Sequence, residues 1–393
     1  MRKKIKSLVY GIVYILIISG IIGYFGYLVD LSTNTTTIYR SQRIYIRSNN
    51  DFIKYGFPGS GTQTDPYIIE NYTILTPGRY DISAISIGGV SKYVIVRNNF
   101  LYSEVNAIEI LSVSSNTVKI VNNTCVGYIY YYGLWTGGIY VSHTNGCYIY
   151  NNTCINFYSG IRLSYCGNCT IINNQLKDNG RNLEINSCSN INITNNSLIL
   201  SKELGGFFAL NYFYHYDSLY IDNCTNISIE MNNFENSGLY LYNTNPSSLI
   251  VQNNLVNGLE LGYFVDGKNL EINSSTIFGQ LFFFNCNNSI IRDQEMITSN
   301  YGIILNNCLN FNISFCNCYD LRHEGIYLRG SKEVTIYNST FSSSNSGVEI
   351  SYSHNIILFN DTFINNTYGI YLFHSNCTNY QNYFFNNHYD VYS

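Results

Sequence analysis

The feature that most constrains this chain is a repeat of about 22 residues: Gly-apolar-x-apolar, a polar turn, then a short alternating strand closing on Asn-Asn. The units start at Ala84, Ala107, Gly138, Gly160, Asn182, Ser218, Gly238, Gly258, Gln280, Gly302, Gly325, Gly347 and Gly369. Two steps are longer than the rest, from Ala107 to Gly138 and from Asn182 to Ser218, and these are insertions. In Gly160-Ile161-Arg162-Leu163, Ile161 and Leu163 point to one side and Arg162 to the other, because side chains alternate along a strand. One such strand cannot bury its apolar side alone. Coils stacked ~4.8 Å apart make parallel sheets around a continuous apolar interior. The period is too short for helix pairs, and the Leu-x-x-Leu-x-Leu spacing of leucine-rich repeats is absent. The pattern predicts an all-β parallel β-helix of about 13 coils, forming a rod of roughly 60 Å.

Paired asparagines recur at one turn: Asn98/Asn99, Asn122/Asn123, Asn151/Asn152, Asn173/Asn174, Asn195/Asn196, Asn232/Asn233 and Asn253/Asn254. Stacked Asn side chains can hydrogen-bond along the axis, and Asn tolerates a left-handed bend. With 12% charged residues, 46% hydrophobic residues and 39 Tyr, the composition is the reverse of a disordered chain.

The N-terminus carries Arg2, Lys3, Lys4 and Lys6, followed by an uncharged apolar stretch, Ser7 to Val29. As a helix this stretch is long enough to cross the ~30 Å hydrocarbon core of a bilayer. A cleavable signal peptide is the rival, but no Ala occurs before Ala84 to offer the usual small-residue cleavage site. The expectation is a basic stub and transmembrane signal anchor over 1–30, a linker over 31–43, a cap and first coil over 44–83, and the β-helix over 84–393. The basic cluster places the N-terminus in the cytoplasm and the β-helix outside a single-pass cell membrane protein. No basic stripe follows, which argues against nucleic acid as a partner.

One stretch is more specific than the repeat: Asn50-Asp51-Phe52, then Gly56-Phe57-Pro58-Gly59-Ser60-Gly61-Thr62, closing on Asp65-Pro66-Tyr67-Ile68-Ile69-Glu70. With the coils, over about residues 44–393, it resembles the pectin-lyase-like right-handed β-helix proteins, especially archaeal surface proteins related to the NosD family of copper-site-maturation proteins. The resemblance implies a single-stranded right-handed parallel β-helix, an opening segment that covers the first coil's bare edge, export, and a ligand-binding or carbohydrate-related role. It does not imply one reaction.

Of the twelve Cys, Cys166, Cys188, Cys224, Cys286 and Cys308 each sit six residues after a coil start and so belong to interior ladders of small apolar side chains. Rung-to-rung disulfides are the geometric alternative. One CxxC (Cys166 to Cys169), one CxC (Cys316 to Cys318) and six scattered His give no ligand-spaced metal set, and no cofactor is expected. Sixteen Asn-x-Ser/Thr sequons occur; Asn34, Asn71, Asn168, Asn192, Asn226, Asn312 and Asn376 are the glycosylation candidates.

The β-helix enzymes resembled here use clustered carboxylates. In this chain the outward positions of the first sheet read Glu109, Tyr140, Arg162, Glu184, Tyr220, Tyr240, Glu260, Phe282, Ile304, Tyr327, Glu349 and Tyr371, with the acids isolated. A glycosidase needs two carboxyls within about 5–10 Å. The two insertions are rich in aromatics: Gly127 to Trp135, with the only Trp, and Phe207 to Tyr216. Both interrupt the same turn, about three rungs or roughly 14 Å apart. A cleft between them would offer Tyr131, Trp135, Tyr214 and Tyr216 for stacking on sugars, above Tyr140, Arg162, Glu184 and Tyr220. The alternative is that these rings pack back over the coil. The functional expectation is non-catalytic binding of glycans or a surface partner. The rivals are a polysaccharide lyase or glycoside hydrolase with a diverged site, and a structural surface spacer.

Overall fold

A computed structural model describes residues 38–40, 42–76, 82–127, 136–201 and 217–393. The membrane-anchor expectation over residues 7–29 lies outside them. The β-helix is present, as a parallel β-solenoid of about 13 turns, but it is built as two blocks rather than one continuous stack.

In the first block each coil contributes three strands. The first sheet stacks Ile44–Ile46, Ile85–Gly88, Asn106–Leu111, Gly137–Ser142, Ser159–Ser164, Arg181–Asn186, Leu219–Asp222 and Leu239–Tyr242. The second runs from Tyr67–Glu70 to Leu249–Gln252, and the third from Ile38–Arg40 through Tyr72–Thr76 to Leu255–Val256. The alternation reads as expected: Ile139, Ile161 and Leu183 fall in register and are wholly buried, while Tyr140, Arg162 and Glu184 form the next column. At the N-terminal end the helix Asn49–Tyr55 lays Phe52 over the first coil, its ring stacked on Tyr67 at 4.6 Å. Asp51 fixes the start of that helix by accepting the backbone N–H groups of Arg47 and Ser48. The helix therefore packs against the first coil at this end of the stack.

The corners explain the abundance of Asn. Among the described residues 42 non-glycine positions have positive φ, and 26 of them are Asn, the residue that after Gly is least strained in the left-handed conformation. At the turn between the second and third sheets, Asn98, Asn122, Asn151, Asn173 and Asn195 take that conformation, and each following Asn points inward. The inner column Asn99, Asn123, Asn152, Asn174, Asn196, Asn232 and Asn254 is joined at every rung by an amide-to-amide bond of 2.9–3.1 Å. One pair departs from the sequence reading: Met231 makes the left-handed corner and Asn232 fills the ladder, so Asn233 already belongs to the next strand. The sulfurs of Cys188 and Cys224 accept the backbone N–H of the Cys one rung before, at 3.3 Å, and all twelve cysteines are free thiols.

The strand direction then reverses. Asn257 and Gly258, with φ of 52° and 81°, form a two-residue turn, and Leu255–Val256 pairs antiparallel with Leu259–Val265. Two successive residues at positive φ are what a type I′ hairpin demands, and Asn-Gly supplies them at least cost. Beyond the hairpin, Phe278–Phe284, Ile303–Asn306, Glu324–Arg329, Ser346–Ser351 and Tyr368–Phe373 continue the third sheet of the first block, yet serve as the first sheet of a second block. The outward ladder expected from Glu109 to Tyr371 is therefore broken after Tyr240. Reversal also turns the sheet over. Leu281, Phe283, Ile303 and Leu305 enter the core of the second block, whereas Phe282, Tyr301 and Ile304 enter that of the first. Phe282 and Ile304, expected on the outside, are 1% and 2% exposed because they roof the open end of the first block. The last first-sheet strand of that block meets Gln280, whose side chain accepts from Leu239 N and donates to Leu239 O, both at 3.0 Å. A side-chain amide thus stands in for a missing strand. In the second block the Asn column becomes Gln294, Cys316, Ser339, Asp361 and Asn382.

Candidate functional site

The outward face of the first sheet is a column in register: Glu109, Tyr140, Arg162, Glu184, Tyr220 and Tyr240. Its centre is Glu184. This carboxylate was expected to be exposed and without an evident partner, but it is 3% exposed and fully engaged. Oε1 lies 2.8 Å from Arg181 Nη1 and 3.8 Å from Arg162 Nε, and accepts from Asn186 Nδ2 at 2.9 Å, while Ser159 Oγ donates to Oε2. Burial alone would raise its pKa, but Arg181, then Arg162, Ser159 and Asn186, outweigh burial and hold Glu184 below the ordinary carboxylate range. It is an anion that locks two guanidiniums. Arg181 lies 3.6 Å above the Tyr220 ring, and Arg162 5.4 Å from that of Tyr140. Tyr140, Arg162 and Tyr220 are each half-buried. Of the other proposed ligand residues, Tyr131, Trp135, Tyr214 and Tyr216 lie outside the described residues.

At the end of this column the two blocks meet. Tyr220 and Tyr240 stand 6.0 Å apart, Tyr240 stacks on Tyr301 of the second block at 5.1 Å, and Tyr301 reaches Tyr327 at 6.1 Å. Beside this aromatic line Asn300 Nδ2 donates to Asp217 Oδ1 at 3.1 Å, and His323 Nε2 lies 3.6 Å from the same oxygen. Arg322 clamps the seam by donating to Asn236 O and Ser201 O. A shallow open groove of about 450 Å³ is lined by Asn233, Glu235, Asn236, Asn257, Gly258 and Thr298 among others.

Three acids near the seam, which sequence reasoning did not bring together, have raised pKa values. Burial pushes Asp217 up to about 7. Burial, and then the charge of Glu349, raises Glu324, which shares a hydrogen bond with Glu349; Glu349 is itself raised by burial. The strand registers Glu324 beside Ser346 and Tyr327 beside Glu349. The Glu324–Glu349 contact is thus the same diagonal that joins Ser159 to Glu184 in the first block. That homology of position was legible in the aligned repeat, had the residue before each coil start been compared with the third residue of the next coil.

The family model described as periplasmic copper-binding protein (NosD) matches this chain over residues 31–279 and again over 236–393. The chain belongs to the NosD family. The two matches overlap where the NosD-family solenoid reverses. No curated protein matches. Among solved structures, the chain is similar to a variant of DFA-IIIase from Arthrobacter chlorophenolicus A6 (12% identity, TM-score 0.33, covering 68% of each chain). It is also similar to a variant of the periplasmic alginate epimerase AlgG (11%, TM-score 0.29, 88% of this chain and 85% of that one). A third is PfbA, a surface adhesin of Streptococcus pneumoniae (10%, TM-score 0.32, 91% and 84%). At these scores they carry no argument about activity.

Among the described residues the side chains do not fit copper, the metal named in the family description. Among the described residues no three His, Cys, Asp or Glu converge on a possible metal site, and both cysteines of the CxxC point into the solenoid interior. No helix of the described residues is long and apolar enough to cross a membrane. Of the glycosylation candidates, Asn168, Asn192, Asn226, Asn312 and Asn376 are exposed, Asn71 is half-buried, and Asn34 lies outside the described residues.

Proposed function

We propose that this NosD-family chain is a membrane-anchored, outward-facing β-helix whose first-sheet face binds a glycan without cleaving it. The observation that supports this most is the tract Tyr140, Tyr220 and Tyr240, interleaved with Arg162 and Arg181 and held rigid by the buried Glu184. Planar rings with flat guanidiniums between them suit the faces of sugars, and a scaffold that holds them still lowers the entropic penalty of binding. Both guanidiniums already face Glu184, so neither gives the face a preference for an acidic sugar. Catalysis is disfavoured on the same geometry. Glu184 is kept ionised and cannot donate a proton, and carboxyls sharing a hydrogen bond, as Glu324 and Glu349 do, are closer than the roughly 5–10 Å used to cleave glycosidic bonds. The observation in favour of the enzyme reading is the set of raised acids Asp217, Glu324 and Glu349, since general acids are tuned in this way.

The test is a glycan array with residues 31–393, followed by titration of any hit against Tyr220→Ala and Tyr140→Ala. Binding that falls about tenfold or more in either variant, with no new reducing ends or unsaturated products, is the expected result. Unchanged binding, or products lost in Glu349→Gln, would overturn it. For the anchor, full-length protein should remain in membranes through alkaline carbonate washing, and a mature N-terminus near residue 30 would show cleavage instead.

A further inference from the structure

Where the second block roofs the first, the seam contains a buried acid whose surroundings are complete only if it carries a proton. Asp217 and Asn300 are both wholly inaccessible to solvent. Asn300 Nδ2 donates to Asp217 Oδ1, but Asp217 Oδ2 and Asn300 Oδ1 have no hydrogen-bond partner among the described residues. Two buried acceptors left over beside one amide-to-carboxyl bond are satisfied together by a single proton on the carboxyl. Supplied with it, the acid and the amide close a ring of two bonds, N–H to C=O one way and O–H to C=O the other.

We propose that Asp217 is a neutral acid that locks the first block to the second by sharing its proton with Asn300, and that the lock loosens when the proton leaves for solvent. The neighbouring groups pull in both directions, and burial outweighs those that favour the anion. From the first block, Arg181 would favour the anion, but its guanidinium is already held by Glu184 at 2.8 Å. Tyr220 and Tyr240 present phenols whose own ionisation burial disfavours. From the second block come Tyr301, Glu324 and His323, the last 3.6 Å from Asp217 Oδ1 with its ring stacked on Tyr301 at 5.0 Å. An ionised Asp217 would in turn push the buried Glu324 carboxyl further up. Burial pushes the Asp217 carboxyl up to about 7, where a proton taken from it leaves a buried charge and an orphaned amide oxygen together. Ionisation changes no bond other than this O–H to O contact. It nevertheless acts at the one place where Tyr240 is stacked on Tyr301, so it alters the alignment of the aromatic tract whether or not that tract binds a glycan.

The sign follows from linkage. The folded pKa lies above the unfolded value near 4, so the contribution is fully present below about pH 4 and is lost as pH rises through about 7. Asp217→Asn replaces the acid by a neutral group of the same shape, which can close an amide–amide ring with Asn300 at any pH. The melting temperature of this variant should match or fall below that of the unsubstituted protein at about pH 5, and exceed it by several degrees at about pH 8.5. Hydrogen exchange of the unsubstituted protein, corrected for the intrinsic pH dependence, should show loss of protection over the same window. That loss should be confined to the segments around Asp217–Asp222 and Asn300–Glu324 and should spare the coils around Ile120 and Leu358. The exchange measurement stands even if the variant fails to fold. Parallel pH slopes for both proteins would show that Asp217 does not titrate here. A melting temperature raised by calcium or sodium in the unsubstituted protein but not in Asp217→Asn would show an ionised Asp217 holding a cation. Either outcome overturns the proposal.

Discussion

Phe282 is the residue at which a one-stack solenoid and a two-block solenoid predict opposite outcomes. By repeat position it belongs to the outward column that continues through Ile304, Tyr327, Glu349 and Tyr371. On the outside of a simple stack, Phe282→Ala would remove little, within about 0.5 kcal/mol as for most surface changes. In the two-block arrangement the ring is 1% exposed and fills the end of the first block's core, near Tyr263 at 5.6 Å and Phe284 at 6.0 Å. Deleting a buried Phe there should cost about 3–5 kcal/mol, since the rigid sheet cannot collapse into the space. For a 150–250-residue protein 1 kcal/mol shifts Tm by about 2–4 °C, and a longer chain responds less, so a drop on the order of 5 °C is expected by calorimetry. Tyr371→Ala, in the same column but half-buried, is the control and should cost about 1 kcal/mol or less. The location of the damage is the sharper readout. Hydrogen exchange should rise in Leu239–Tyr242 and Leu249–Gln252, the last coil of the first block, although the substitution lies beyond the hairpin. Equal losses for Phe282→Ala and Tyr371→Ala, or exchange rising only after residue 303, would refute the shared wall.

Three further outcomes follow from the interior columns. Asn174→Leu removes amide donors to Ile149 O, Ile172 O and Asn196 Oδ1 and the acceptor for Asn152 N, so a loss of about 3–5 kcal/mol is expected in chemical denaturation; a loss under 1 kcal/mol would mean that the column is ornamental. Asp361→Asn puts an amide where the first block has one, and because burial holds Asp361 at about 7, stability lost as pH rises through that value should be regained, on the order of 2 kcal/mol at pH 8.5; a variant no better than the unsubstituted chain at high pH refutes this. Under denaturing, non-reducing conditions all twelve cysteines should react with an alkylating reagent, whereas blocked thiols would show disulfides between rungs.

Most of the architecture was legible because one physical rule repeats in it. Alternation fixed which residues point inward, and the shared offset of Cys166, Cys188 and Cys224 fixed their stacking. The reversal was missed although two signals for it stand in the sequence. Gly258 was read as the glycine that opens a coil, whereas Asn257-Gly258 is the strongest short hairpin signal there is. Leu281-Phe282-Phe283-Phe284 and Ile303-Ile304-Leu305 are unbroken apolar runs, and a strand buried on both faces reads in this way. The candidate face was legible as a column of residues but not as a charge state. That Glu184 is a buried anion depends on Arg181 reaching across three residues and Ser159 across a rung, and no period reports such contacts.

The shared wall also bears on how the molecule yields to force. A parallel β-helix pulled from its C-terminus gives up one coil at a time, and about 22 residues released at ~3.4 Å each lengthen the tether by roughly 75 Å per event. Each such event breaks one rung and uncovers one interior. At Phe278–Phe284 and Ile303–Asn306 peeling a strand uncovers two interiors at once, because alternate side chains of the same strand belong to different cores. A saw-tooth of even steps should therefore stall there and resume only at a higher load, with the first block left intact behind the stall. Under a load applied at the C-terminus, the wall acts as a mechanical stop that lets the later coils be stretched and re-formed while the earlier ones keep their shape.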